Sequence, residues 1–293
     1  MRAVLLTRWA LALPAFAFVT LQASPSPLHA AEVQRIISLA PAVTETVFAL
    51  GMGDRLVGVS IYCDYPPPAL KIDRVGTFLT PNVEAIIAKR PDVIIAMPTP
   101  GNQSSVEALR RLGLTVLLVD PQSVADIEAS VLTIGRALGR EDAAHALVTH
   151  IEARMAAVRA RLAGAPERTV LMVVGQTPLI AVGAGTFQDE LIRMARGVNV
   201  AGAGGGTWPH LSIEFAVAVA PEVIIDTSMG NEEQSGAAPA MAFWASFPTI
   251  PAVRDHRVYG YKEYRLLRPG PRIDEALEAL ARFVHPERFA LSQ

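Results

Sequence analysis

Short apolar runs alternate along this chain with stretches whose apolar residues recur every three or four positions. Residues 35–39, 93–96, 116–119, 170–174 and 223–226 are brief and apolar, and read as buried strands. Residues 82–89 and 105–112 carry the helical spacing. Strands that alternate with helices predict βα units and parallel sheets, an α/β chain.

One stretch of this pattern occurs twice. Residues 82–96 align without a gap on residues 212–226, at an offset of 130. Glu84 meets Glu214, Ala88 meets Ala218, Pro91 meets Pro221, and Val93-Ile94-Ile95 meets Val223-Ile224-Ile225. Each copy predicts a capping residue (Asn82 or Ser212), a short helix, a proline that stops it, and a buried strand. A repeat at nearly half the chain length predicts two similar lobes.

The connection between them is legible too. Leu147, Ile151, Met155, Val158 and Leu162 lie at spacings of three and four, with Arg and Glu between them, and Gly164 and Pro166 follow. This predicts one long amphipathic helix of roughly 33 Å, about the width of a small domain. The expected organisation is an N-terminal lobe at 31–140, a bridging helix at 141–163 and a C-terminal lobe at 164–293. A stiff helical connector predicts small lobe movements.

Residues 1–30 stand apart. Arg2 and Arg8 precede an uncharged apolar run at 9–21, and a polar stretch ends in Ala30-Ala31. That order predicts a cleaved signal peptide and export to the periplasm. The only cysteine is Cys63, so an intramolecular disulfide and a multi-cysteine metal site are excluded, and a lipid-modified cysteine at the signal's end is not expected. Lys and Arg number 26 against 28 Asp and Glu, with no long run of one sign, which argues against nucleic-acid binding.

Catalytic patterns are missing. The chain has no G-x-S-x-G, Walker A or H-E-x-x-H motif. Gly202 to Thr207 approaches a dinucleotide fingerprint but lacks its last glycine, and reads as a loop. No catalytic residue and no resident cofactor or protein-held metal is expected. The aromatics are few and sit after apolar runs: Tyr62 and Tyr65 around Cys63-Asp64, then Phe78, Trp208, and Tyr259, Tyr261 and Tyr264 ahead of Arg268. In open α/β sheets such loops present ligand contacts, and flat aromatic faces suit a large planar ligand. Glu84 and Glu214 occupy matching second positions of their helices, where the helix dipole favours a carboxylate. They also form a symmetric pair suited to a two-fold symmetric, positively charged partner.

These residues resemble the class III periplasmic substrate-binding proteins of ABC importers, most closely their cobalamin (vitamin B12)-binding branch; ferric-siderophore and haem binders belong to the same superfamily. The resemblance runs over nearly all of residues 35–289. It rests on ISLAPAVTET (37–46), VGVSIYCDYP (57–66), residues 82–96, WPHLSIE (208–214) and RPGPRI (268–273). It implies two α/β lobes joined by one long rigid helix, with the ligand in the cleft between them. It implies that Tyr62, Phe78, Trp208, Tyr264 and Arg268 line that cleft. It further implies that Glu84 and Glu214 dock on an inner-membrane permease dimer driven by its ATPase, with the binding protein a monomer. Phe78 stands where the branch has Trp, Leu179 or Ile180 where it has Phe, and Tyr264 where it has an acidic contact.

The expected activity is capture of a corrinoid, cobalamin or cobinamide, without chemistry on it. The alternative cargo is haem, with Tyr62 or His210 as axial ligand, or a ferric siderophore held by Arg265, Arg268 or Arg272. An exported enzyme would instead need a nucleophile and base converging in the cleft.

Overall fold

The protein is described by a computed structural model that covers residues 33–228 and 237–289. The expected signal segment at 1–30 lies outside the described residues. The first lobe begins with β1 (Ile36–Ser38), α1 (Pro41–Ala49), β2 (Leu56–Val59), α2 (Val83–Ala88), β3 (Val93–Ala96), α3 (Gln103–Arg111) and β4 (Val116–Leu118). Its sheet runs β2-β1-β3-β4 with every pair parallel. Strands β1 and β3 are buried along their whole length, which is why they read as unbroken apolar runs rather than alternating ones.

The chain then forms α4 (Val124–Ala137) and α5 (Glu141–Arg161). The second lobe follows with β5 (Arg168–Gln176), β6 (Leu179–Ala181), α6 (Phe187–Met194), β7 (Gly197–Asn199), β8 (His210–Leu211), α7 (Ile213–Val219) and β9 (Val223–Asp226). It ends with α8 (Ala237–Trp244), α9 (Pro251–Arg254), β10 (Val258–Gly260) and α10 (Ile273–Val284). Here β10-β9-β5 is parallel, while β6 and β8 extend the sheet antiparallel. That antiparallel edge carries Trp208's loop and was not legible in the sequence.

The repeat is structural as well as textual. Asn82 and Ser212 each cap their helix by accepting a backbone N–H three residues on, from Ala85 at 3.0 Å and Phe215 at 3.2 Å. Both helices end in a left-handed residue before the proline, Arg90 at φ 45° and Ala220 at φ 44°. The acid after the proline then clamps the start of the central strand. Asp92 Oδ2 accepts from Arg35 N at 2.9 Å, and Glu222 Oε2 accepts from Thr169 N at 2.8 Å. Thus β1-β3-β4 and β5-β9-β10 are one motif used twice.

Helix α5 crosses between two hydrophobic cores. Ala144 and Val148 pack in the core of the first sheet; Ile151, Met155, Val158 and then Leu162 pack in that of the second. It does not cross alone. Val124 and Ile127 of α4 lie in the second core, and Val131, Ile134 and Leu138 in the first. The expected long connecting helix is thus present as α5, and it is paired with α4 in a helical hairpin. The two arms touch at Gly135, where an added Cβ would stand 2.4 Å from the Ala144 Cβ. The N-terminus of α4 is also tied to the second lobe, Val124 N donating to Glu190 Oε2 at 2.9 Å.

Candidate functional site

In open parallel sheets the loops at the carboxyl ends of the strands carry the ligand contacts. In the first lobe the loop after β2 holds Tyr62, Asp64 and Tyr65. It is pinned from beneath by Cys63, whose buried Sγ lies 3.1 Å from Thr44 Oγ1 and 3.2 Å from Ser60 Oγ. Arg74 adds to this by donating to the carbonyls of Ser60 and Cys63 at 3.1 and 2.8 Å. Burial pushes the Cys63 thiol above its ordinary pKa, against the hydrogen bonds from Ser60 and Thr44. Cys63 is therefore an anchor, and its neighbours in sequence are displayed outward.

Phe78 sits on the next loop, at Gly76–Asn82. Gly76 there has φ 99°, and a Cβ would stand 2.6 Å from Asn82 N, so only glycine fits. Buried Asn102 fixes the loop, donating from Nδ2 to the Phe78 carbonyl at 2.9 Å. The result is an aromatic pair, Tyr62 and Phe78, with ring centroids 5.4 Å apart and planes tilted by 58°.

The second lobe answers with the segment after β10. Arg268 reaches across to the first lobe, donating from Nη1 to Asp64 Oδ1 at 2.6 Å and Glu45 Oε1 at 3.0 Å. Its Nη2 donates to the Tyr62 carbonyl at 3.3 Å. Arg272 takes both oxygens of Glu45, from Nε at 2.8 Å and Nη2 at 2.9 Å. Each guanidinium also lies over an aromatic ring: Arg268 over Tyr264 at 4.9 Å, and Arg272 over Tyr65 at 3.7 Å. Gly270 lets this segment approach α1 closely, since a Cβ would stand 3.2 Å from the Ala42 Cα. Burial disfavours the Arg268 charge, but Asp64 and Glu45 outweigh it and hold the pKa above its ordinary value. Arg265 is paired with Glu263 and, at 3.0 Å, with Glu275.

Of the residues expected in the cleft, Tyr62, Phe78, Tyr264 and Arg268 are thus brought together. Trp208 is 46% exposed on the edge of the second sheet and makes no ring contact with them. Its loop is fixed by Gly183 N donating to the Thr207 carbonyl at 2.9 Å and Ala181 N to the Pro209 carbonyl at 3.1 Å. His210 is exposed on β8, paired in register with Ile180. Leu179 belongs to the second lobe's core, so of Leu179 and Ile180 only the half-buried Ile180 offers surface. Glu84 and Glu214 are both exposed at matching positions. The Glu214 carboxylate is held below its usual pKa by its own backbone N–H and the Ser212 hydroxyl.

Glu45 was not among the expected residues. The signal was available: it is the only charged residue of α1, and a lone carboxylate on an apolar helix needs a partner. Among the described residues no group of three or more His, Cys, Asp and Glu could hold a metal ion. No helix there is long and apolar enough to cross a membrane.

Residues 36–264 match the family described as periplasmic binding protein. An uncharacterized ABC transporter substrate-binding lipoprotein of Bacillus subtilis, YvrC, is 31% identical over 88% of this chain and 82% of its own length. The vitamin B12-binding protein of Vibrio cholerae is 29% identical over 92% of this chain and 94% of its own. The crystal structure of the Vibrio cholerae periplasmic vitamin B12 binding protein BtuF superposes with a TM-score of 0.76 at 28% identity, covering 89% of this chain and 99% of that one. The periplasmic heme-binding protein RhuT of a Roseiflexus species gives a TM-score of 0.78 at 27% identity, covering 87% and 99%. With its duplicated α/β lobes, helical connection and this match, the chain belongs to the periplasmic binding protein family of transporter substrate-binding proteins.

Proposed function

We propose that this protein is the extracytoplasmic solute-binding component of an ABC importer, that its cargo is a corrinoid, and that it delivers cobalamin or cobinamide to an inner-membrane permease dimer. The observation that carries the cargo reading is the pairing of an aromatic wall with a charge-compensated floor. Tyr62 and Phe78 offer flat apolar surface, and the two arginines beside them face two carboxylates. A large ligand without net negative charge fits that surface better than a polyanion. The relatives named for vitamin B12 support the same cargo. Exposed Glu84 and Glu214, repeated on both lobes, are the proposed docking points on the permease.

A haem cargo has two observations in its favour, the likeness to the heme-binding protein RhuT and an exposed phenol. Tyr62 is 47% exposed beside the cleft, and its phenol oxygen is a candidate axial ligand. The two cargoes separate in a fluorescence titration of the exported form with cyanocobalamin, dicyanocobinamide, haemin and ferric siderophores, corrected for ligand absorption. Trp244 is buried and Trp208 exposed, so Trp208→Phe removes the surface reporter. Saturable one-to-one binding of corrinoids alone is the expected result. Saturation by haemin or a siderophore instead overturns the cargo and keeps the transporter role.

A further inference from the structure

We infer that Asp64 is a specificity-determining residue, occupying the Arg268 guanidinium and so disfavouring anionic cargo. The inference deepens the reading above and rests on it for the position of the ligand, against Tyr62 and Phe78.

The cluster has an inner and an outer half. Glu45 is the inner carboxylate, its side chain only 2% exposed, and both its oxygens are taken by Arg272 at 2.8 and 2.9 Å. It cannot leave without stranding two half-buried cations, so it belongs to the scaffold. Asp64 is the outer carboxylate, its side chain 45% exposed, and it meets Arg268 through Oδ1 alone at 2.6 Å. An exposed carboxylate exchanges its partner for water at small cost. Asp64 is therefore the replaceable member.

The location makes that replacement matter. The same guanidinium that holds Asp64 donates to the Tyr62 carbonyl at 3.3 Å and lies 4.9 Å from the Tyr264 ring centroid. A ligand stacked on Tyr62 brings its periphery to this point. A peripheral carboxylate meets an arginine that is already paired, next to the negative charge of Asp64, and must displace it. A peripheral carboxamide meets no such conflict and can donate N–H to Asp64 Oδ2, which the Arg268 pairing leaves open. With Arg268 and Arg272 set against Glu45 and Asp64, the formal charge of the cluster cancels. Removing the Asp64 charge makes the floor cationic and opens Arg268 to an anion.

The test measures dissociation constants for haemin, which carries two propionates, and for cyanocobalamin, which carries peripheral carboxamides. The proteins are the parent, Asp64→Asn and Asp64→Asn with Arg268→Gln. The expected result is tighter haemin binding by Asp64→Asn, with the haemin-to-cyanocobalamin affinity ratio raised at least tenfold and the gain lost in the double variant. An unchanged or lower ratio overturns the inference, as does a gain that survives Arg268→Gln. A parent protein that prefers haemin sinks the corrinoid reading while the effect of Asp64→Asn still decides this one. If the parent binds neither probe, an Asp64→Asn variant that acquires no haemin binding overturns the role of Asp64.

Discussion

Arg272 grips Glu45 with a two-pronged hydrogen bond between the lobes, Nε to Oε2 at 2.8 Å and Nη2 to Oε1 at 2.9 Å. The donor lies at the start of the last helix of the second lobe and the acceptor on the first helix of the first, 227 positions apart. Because Arg268 shares the same carboxylate, removing it strands two guanidinium groups in a half-buried setting. Glu45→Ala is expected to destabilise the protein by about 3–5 kcal/mol, the range for breaking a buried ion pair from one side. Urea denaturation checks this; a loss below about 1 kcal/mol would show that the clasp is solvated.

The contact between α4 and α5 at Gly135 supports a second expectation. A methyl group there would stand 2.4 Å from the Ala144 Cβ, well inside van der Waals contact. Gly135→Ala should cost about 1–3 kcal/mol by overpacking, despite the better helix propensity of alanine. Adding Ala144→Gly should restore part of that loss. Thermal unfolding of the single and double variants measures the coupling, and simple additivity would refute it.

Trp208 is exposed on the edge of the second sheet, and among the described residues no aromatic ring packs on it. Exposed aromatic side chains of this size serve as anchors when a ligand covers them. Trp208→Ala should weaken corrinoid binding by more than about 1 kcal/mol, in the range for buried aromatic anchors. Calorimetric titration reads this directly. Unchanged affinity removes Trp208 from the site.

Glu84 and Glu214 are exposed, remote in sequence and equivalent in the repeat. Reversing both, Glu84→Arg with Glu214→Arg, should abolish uptake of labelled corrinoid by cells while leaving ligand affinity intact. Normal uptake by the double variant would end the docking assignment.

Cys63 is raised above its ordinary pKa by burial. A thiol whose pKa is higher in the folded state contributes stability that is fully present below its unfolded pKa of about 8.5 and is lost as pH rises through the folded value. The parent should therefore lose stability more steeply than Cys63→Ala above that pH. Urea midpoints between pH 7 and 10 test the difference; parallel curves would contradict it.

Much of this architecture is legible in the chain because it depends on local pattern. Residues 93–96 and 223–226 are strands with the bounds the apolar runs suggested, since strands buried on both faces are nearly continuous in apolar residues; the one exception, Asp226, ends its strand and accepts from Gln176 and Trp244. Helix α5 follows its three-and-four spacing, and the two capped helices follow Asn82 and Ser212. The aromatic loops were found because Tyr and Phe after a strand are conspicuous in a chain with 6% aromatic residues.

What the tertiary structure alone decided is which distant residues meet. Nothing in the spacing places Glu45 between Arg268 and Arg272, because an ion pair between lobes depends on how the lobes dock and leaves no periodic trace. The same holds for α4, whose 3.6-residue pattern reports a buried face without saying that the face spans two cores. Pairing within a repeat can be read from one dimension; the balance of charges brought together from two lobes is a property of three.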